Sequence, residues 1–323
     1  MATSPRQVGV GVTACAVLIA ALCSVASIVA TSSNTSIRTP APPQRYTVVA
    51  DGHPLAVWGR TPPTPCAALV LIHGRTWSSR PDFDLQVPGL SRSVLTSLVA
   101  QGVAAYAVDL RGYGESPRDA SGFLTPSRAA ADVAVVLRWV AARHPKLPAP
   151  ALLGWSQGAA VAHLAAQLPD LPLSSLVLFG FTMEPGLKSA ALPVPELPAY
   201  EKTTRADALL DFISPAVTPA AVASAFADQA LAADPVRTDW VHEEEFNALD
   251  PSRLTMPTMI LHGSLDPGVP TDVTARFFSN IAASRRQWTL LSGGDHAAQV
   301  EDTHAAFISA VVEFITRPAP PRR

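Results

Sequence analysis

The pentapeptide Gly154-Trp155-Ser156-Gln157-Gly158 constrains what this chain can fold into more than any other feature. It follows a short apolar run, Ala149-Pro150-Ala151-Leu152-Leu153, and precedes helix-forming residues from Ala159 to Gln167. The pattern predicts a strand, a sharp turn and a helix, with the serine at the apex. So abrupt a turn is strained and crowded, and a Cβ at Gly154 or Gly158 would meet the neighbouring strand or helix. The turn holds the serine hydroxyl at the top of a sheet. Behind it, the helix N-terminus offers free N–H groups and a partial positive charge to a developing oxyanion. Glycine and serine are common, so the pentapeptide alone also fits an ordinary strand-to-helix turn.

Four further segments bear on that choice. Ala67-Ala68-Leu69-Val70-Leu71-Ile72 is the continuous apolar run expected of a strand buried on both faces, and it ends in His73-Gly74-Arg75-Thr76. His73 reads as a packed histidine bracing that loop. Val103 to Val108 is another buried-strand candidate, followed by Asp109-Leu110-Arg111-Gly112-Tyr113-Gly114-Glu115-Ser116. This second loop reads as structural, with an internal ion pair expected between Asp109 and Arg111. Met256 to Gly263 is a late strand, and Asp266 lies on the loop after it. Asp266 either orients a histidine or caps the helix beginning near Pro270 or Thr271. Gln287 to Leu291 is the last strand and runs into Ser292-Gly293-Gly294-Asp295-His296, ahead of an amphipathic helix from roughly Ala297 to Ile315.

Strand candidates at 46–50, 56–59, 67–72, 103–108, 150–154, 174–179, 258–262 and 286–291 alternate, after the third, with helical stretches. Those stretches include Leu90 to Gln101, Pro126 to His144, Ala159 to Gln167 and Thr271 to Ala282. Such βαβ repetition predicts an α/β fold with a mostly parallel eight-stranded sheet and helices on both faces. The alternation stops between Phe181 and Arg253, an interval of proline-rich and short helical pieces such as Pro219 to Ala233. It reads as a cap insertion over the site.

On His73-Gly74, the loop from Asp109 to Ser116, Gly154 to Gly158, the Asp266 loop and His296, the chain resembles the α/β-hydrolase superfamily. It is most similar to the group of serine-aminopeptidase-like (S33) hydrolases, monoacylglycerol-lipase-like esterases and proline iminopeptidases. The chain order Ser156, Asp266, His296 matches the nucleophile, acid and base of that fold. The resemblance implies acyl transfer through an acyl-enzyme, with His296 activating Ser156 and the backbone N–H groups of Gln157 and Arg75 forming the oxyanion hole. His73-Gly74-Arg75-Thr76-Trp77 departs from the His-Gly-Gly-Pro-Gly typical of proline iminopeptidases, which weakens the peptidase reading. Trp77, Trp155, Phe181, Met183 and Trp240 are candidates for an apolar substrate pocket. Glu243-Glu244-Glu245 in the cap would bind a substrate ammonium in an aminopeptidase, or form a solvated helix face. The guanidinium of Arg75 would meet a substrate carboxylate, or pair with Asp82 or Asp84.

The leading expectation is a serine hydrolase cleaving carboxylic esters of small or medium acyl chains. An aminopeptidase or amidase on the same triad is the alternative, and a non-catalytic hydrolase-fold binding protein the third reading. No metal or organic cofactor is implied. The chain has no P-loop and no H-E-x-x-H, and no G-x-G-x-x-G follows the first strand. With a formal net charge of −2 and no basic block, a nucleic-acid partner has no support.

Val8 to Ala30 contains no charged residue and follows Arg6. Residues 1–30 therefore read as a signal peptide or an N-terminal membrane anchor, and either sends the enzyme out of the cytoplasm. Residues 31–45 read as a flexible linker, 46–315 as the hydrolase domain with its cap at about 181–253, and 316–323 as a disordered tail. Of three cysteines only Cys66 lies beyond the leader, and it reads as a small core residue at the start of a strand.

Overall fold

The computed structural model describes Met1 and residues 42–317. The apolar leader, most of the linker and the end of the tail lie outside the described residues, and with them the signal-or-anchor reading. Among the described residues no helix is long and apolar enough to cross a membrane.

Ten strands form among the described residues: β1 (Gln44–Ala50), β2 (His53–Arg60), β3 (Ala67–Ile72), β4 (Val103–Val108), β5 (Phe123–Leu124), β6 (Ala151–Trp155), β7 (Leu176–Phe179), β8 (Asp239–Trp240), β9 (Thr258–Gly263) and β10 (Arg286–Leu291). Eight of them make one sheet in the order β1-β2-β4-β3-β6-β7-β9-β10, while β5 and β8 pair separately. In the large sheet β2 runs antiparallel to both β1 and β4, and every pair from β4 to β10 is parallel. The mostly parallel eight-stranded sheet expected from the alternation is therefore present.

The helices are α1 (Ser79–Phe83), α2 (Val94–Ala100), α3 (Pro126–Arg143), α4 (Gln157–Ala166), α5 (Arg205–Leu209), α6 (Ala220–Ala233), α7 (Thr271–Asn280) and α8 (His304–Thr316). Strand periodicity sends alternate side chains to two cores. Val70 and Ile72 of β3 pack with α3, α4 and α7 on one face, whereas Leu69 and Leu71 pack with α2 and α8 on the other. A strand covered on both sides has no face for polar residues, which is why β3, β4 and β6 read as unbroken apolar runs.

Three of the helices packed on the sheet start two or more residues from where they are expected. α2 begins at Val94 rather than Leu90, because the Ser93 hydroxyl accepts the Thr96 N–H at 3.0 Å and caps the helix there. α4 begins at Gln157 rather than Ala159, directly after Ser156. The terminal helix begins at His304 rather than Ala297. Residues 297–303 instead form turns, in which Asp295 accepts the Ala297 N–H and Glu301 accepts the Asp295 N–H.

The Asp109 loop is braced differently from the expected internal ion pair. Asp109 is buried and accepts N–H groups from Trp58, Ser79 and Glu115. Arg111 turns away to a two-point bond with Asp132 on α3, at 2.6 and 2.8 Å. Three N–H donors suit a buried carboxylate as well as one cation would, so the loop needs no internal pair. Cys66 is exposed just before β3, with its thiol donating to the Gly102 carbonyl, and is not a core residue.

Between β7 and β9 the chain leaves the sheet at Gly180 and returns at Thr258, carrying α5, α6, β8 and three short 3₁₀ turns. Phe226 of α6 packs edge-on against Trp77, and Asp302 near the C-terminus donates its N–H to Val217. These contacts hold the inserted segment to loops at the C-terminal ends of the strands.

Candidate active site

Ser156 stands between β6 and α4 at φ 54° and ψ −124°, a conformation that non-glycine residues rarely adopt. Such a backbone costs on the order of 1–3 kcal/mol and persists only where its surroundings impose it. Here they do. A Cβ on Gly154 would lie 2.1 Å from the Gly158 carbonyl oxygen, and one on Gly158 would lie 2.2 Å from the His73 carbonyl oxygen. Both obstacles are backbone, so neither can swing aside. Gly158→Ala is expected to lower stability by about 3 kcal/mol, the upper end of overpacking penalties. It should also displace the His73-Gly74 loop. Urea unfolding checks this, and an unchanged midpoint would contradict it.

Ser156, His296 and Asp266 come together although 140 and 30 residues separate the bonded pairs. His296 Nε2 lies 3.0 Å from Ser156 Oγ, and His296 Nδ1 lies 2.9 Å from Asp266 Oδ2. A carboxylate only accepts, so Nδ1–H donates to Asp266. A neutral ring then leaves Nε2 as acceptor for the serine hydroxyl. Burial pulls the His296 pKa down, but the hydrogen bond and charge of Asp266, with the charges of Asp211 and Asp295, outweigh it and leave the pKa raised. Asp266 does not cap α7. Its Oδ1 accepts the Gly268 N–H at 2.8 Å, and α7 starts after Pro270 with no side-chain cap. The two loops touch because Gly263 has no side chain: a Cβ there would sit 2.3 Å from the carbonyls of Gly294 and Asp295.

The oxyanion candidates flank the serine. Gln157 is the first residue of α4, where a backbone N–H has no intrahelical acceptor. Across from it, a Cβ on Gly74 would lie 3.3 Å from Ser156 Cβ, which places the loop leading into Arg75 against the serine. That loop is pinned. His73 accepts the Leu110 N–H at Nε2 and donates from Nδ1 to the Gly74 carbonyl, and burial lowers its pKa to about 4, so it stays neutral. Gly74 N–H is taken by Asp82 at 3.1 Å.

The charged partners expected of Arg75 are corrected by the structure. Asp82 braces Gly74, Asp84 pairs with Arg60, and the Arg75 guanidinium reaches Glu243 in the inserted segment at 3.0 Å. Glu244 bonds His242, and Glu245 accepts the Ser127 N–H at the start of α3. All three glutamates thus have partners in the protein.

The pocket candidates separate into two groups. Trp155 is buried and donates its indole N–H to the His296 carbonyl at 2.9 Å, which braces the histidine loop from below. Trp240 is buried and donates to the Tyr113 hydroxyl, and Trp77 packs against Phe226. These three are therefore packing residues with fixed polar contacts. Phe181 and Met183 remain half-buried. A cavity of about 380 Å³ lies elsewhere, between α6 and the loop after β4, and is lined by Trp58, Arg80, Asp109 and Gln229 but not by Ser156.

Sequence reasoning missed Asp211, Asp295 and Glu301. Asp211, on the inserted segment, hydrogen-bonds the Trp77 side chain and lies close enough for its charge to act on His296; burial pushes its pKa up to about 7. One of its carboxylate oxygens is buried without a hydrogen-bond partner among the described residues. No motif marks these acids, because their importance lies in what long-range folding brings beside them.

Comparisons with known proteins agree with this architecture. A family model described as serine aminopeptidase, S33, matches residues 63–303. Among solved structures, the esterase RhEst1 from Rhodococcus sp. ECU1013 is 23% identical, with 85% of this chain and 99% of that chain covered and a TM-score of 0.59. The thioesterase domain from the curacin biosynthetic pathway is 18% identical, covering 84% and 100%, with a TM-score of 0.58. An esterase from Exiguobacterium antarcticum is also 18% identical, covering 85% and 100%, with a TM-score of 0.57. No curated protein matched in a sequence search. The family match spans most of the chain, and the eight-stranded sheet has the same fold as those enzymes: this protein belongs to the S33 serine-aminopeptidase family of α/β hydrolases.

Proposed function

We propose that this hydrolase cleaves carboxylic esters of small or medium acyl chains, with Ser156 as nucleophile, His296 as base and Asp266 as the residue that orients it. The observation that carries this reading is the continuous hydrogen-bonded line from Ser156 Oγ through His296 to Asp266. Ser156 Oγ attacks the ester carbonyl carbon while its proton passes to His296 Nε2. The tetrahedral oxyanion is held by the backbone N–H groups of Gln157 and Arg75, each such donor typically contributing ~3 kcal/mol of barrier lowering. Collapse expels the alcohol, which takes the proton from His296. Water then attacks the acyl-enzyme by the same route, releasing the acid and regenerating Ser156.

Ester is favoured over aminoacyl amide because the cap glutamates are already engaged by Arg75, His242 and the start of α3. The unpartnered Asp211 oxygen is the one observation on the side of an aminopeptidase, since a buried carboxylate near the reacting centre suits a cationic substrate group. Export, with the catalytic domain outside the cytoplasm, is part of the proposal and rests on the charge-free stretch from Val8 to Ala30.

Hydrolysis of p-nitrophenyl esters from acetate to palmitate, beside aminoacyl anilides, tests the reading. Preference for esters with a short or medium chain optimum is expected; anilides cleaved faster would replace it with the aminopeptidase. The pH profile follows from the raised His296 pKa. His296 must be neutral to accept the serine proton, so kcat/KM is expected to rise with pH through a midpoint above the ~6.5 of a free histidine. A midpoint below that value would mean that Asp266 does not govern the ring.

A further inference from the structure

We propose that Glu301 is a positioning residue for His296: held as a neutral carboxylic acid against the Asp295 carboxylate, it locks the histidine loop to the inserted segment through Ser214. The proposal rests on the reading of His296 as the catalytic base.

Both acids are fully buried. Glu301 Oε2 accepts the Asp295 N–H at 2.8 Å, while Glu301 Oε1 is buried with no donor bonded to it among the described residues. Asp295 Oδ1 accepts the Ala297 N–H at 3.2 Å, and its Oδ2 accepts the Ser214 N–H of the inserted segment at 2.5 Å. The Asp295 side chain acts on Glu301 both as a hydrogen-bonding partner and as a like charge. Two ionised carboxylates in contact away from water repel, and a single shared proton converts that repulsion into a strong O–H···O⁻ bond. Both Asp295 oxygens already accept N–H groups, whereas Glu301 Oε1 has no donor, so the proton belongs on Glu301 Oε1. Burial and Asp295 accordingly push the Glu301 pKa up to about 9.

The network encloses the imidazole's own backbone. Asp295 and Ala297, the residues on either side of His296, both donate their N–H groups into it, and Trp155 holds the His296 carbonyl from the other side. The ionisable groups around it add mainly negative charge. Asp266 faces the ring from the loop after β9, and Asp211 acts on both Asp295 and His296 from the inserted segment. On α8, His304 bonds Gln299 and Ser97, and its pKa is lowered by burial, while Asp302, in the turn before α8, pairs with Arg92 at the surface. Loss of the Glu301 proton therefore sets two negative charges against each other and frees the loop that carries His296.

The test compares wild type, Glu301→Gln and Asp295→Asn for kcat on p-nitrophenyl butyrate and for Tm, from pH 5 to pH 10.5. Wild-type kcat is expected to fall on the alkaline side with a midpoint near pH 9, with KM changing much less. Glutamine keeps both hydrogen bonds, so Glu301→Gln should stay within about threefold of wild type near pH 7 and lose the alkaline fall. The Tm readout is independent of catalysis. The folded state keeps a proton that the unfolded chain releases near 4.5, so this group's contribution to stability declines as pH rises from about 4.5 to about 9. Wild-type Tm should therefore fall more steeply than that of Glu301→Gln across this window. An alkaline fall and a Tm slope unchanged in Glu301→Gln would overturn the proposal. If that variant does not fold, Asp295→Asn, which removes the repelling charge, must erase the same fall, and its retention would equally overturn it. Activity surviving in Ser156→Ala would instead defeat the catalytic reading and leave the Tm comparison to judge Glu301.

Discussion

Replacing Ser156 by alanine should lower kcat on a short-chain ester by about 10⁶-fold, the scale seen when a serine enzyme loses its nucleophile, with substrate binding little changed. His296 and Asp266 would remain paired, and the oxyanion donors would remain in place, but no oxygen would be left to form the acyl-enzyme. Stability should barely move. The substitution removes one hydrogen bond, from Ser156 Oγ to His296 Nε2, worth about 1 kcal/mol, while alanine still occupies the strained φ of 54°. Rate and Tm measured on the same preparation separate a chemical loss from an unfolded protein. A fluorophosphonate that labels wild type and not Ser156→Ala would identify the reactive oxygen directly. Residual activity within a hundredfold of wild type would remove Ser156 from the mechanism.

Asp266→Asn should cost ~10⁴-fold in kcat, by analogy with the same change in serine proteases. The reason lies in how Asp266 is held. Oδ1 accepts the Gly268 N–H and Oδ2 accepts Nδ1–H of His296. Asparagine has one accepting oxygen. If that oxygen stays on Gly268, the amide NH₂ points at Nδ1 and drives the imidazole proton to Nε2. A proton on Nε2 blocks acceptance from the serine. The hydrogen bond and charge of Asp266 also raise the His296 pKa, so residual activity should titrate at lower pH than in wild type. A loss under tenfold would transfer the orienting role to Asp211 or Asp295, the other acids whose charges reach the ring. The two substitutions probe different atoms. Ser156→Ala asks whether an oxygen is needed, and Asp266→Asn asks whether one tautomer is.

The parts of this molecule legible from sequence share a common property: their signal is local. The apolar runs of β3, β4 and β6 declare strands buried on both faces, because each run is decided within six residues. Gly154 and Gly158 declare the turn, since the backbone atoms that would block a Cβ belong to the ends of the elements the turn joins or packs against. Asp266 and His296 were legible only as residues at the right ends of two late strands. The same local reasoning failed for charge pairing. Arg75 has two acids within ten residues, Asp82 and Asp84, yet it pairs with Glu243, 168 residues away. Arg111 bypasses Asp109 for Asp132. An Arg or Asp is a satisfactory partner for any opposite charge, so composition lists the candidates without ranking them.

The sequence by itself determined a mostly parallel sheet, a serine raised on a strained turn, and the order of Ser156, Asp266 and His296 along the chain. Tertiary structure decided which acids serve His296, which N–H groups restrain Asp109, Asp82 and Asp295, and that Glu301 lies buried against a second carboxyl group. Backbone periodicity and turn geometry act over a few residues and leave a pattern in the order of side chains. The electrostatics of a buried site depend on distances of about 3 Å between groups distant in the chain, and those distances exist only once the sheet, its loops and the inserted segment have packed together.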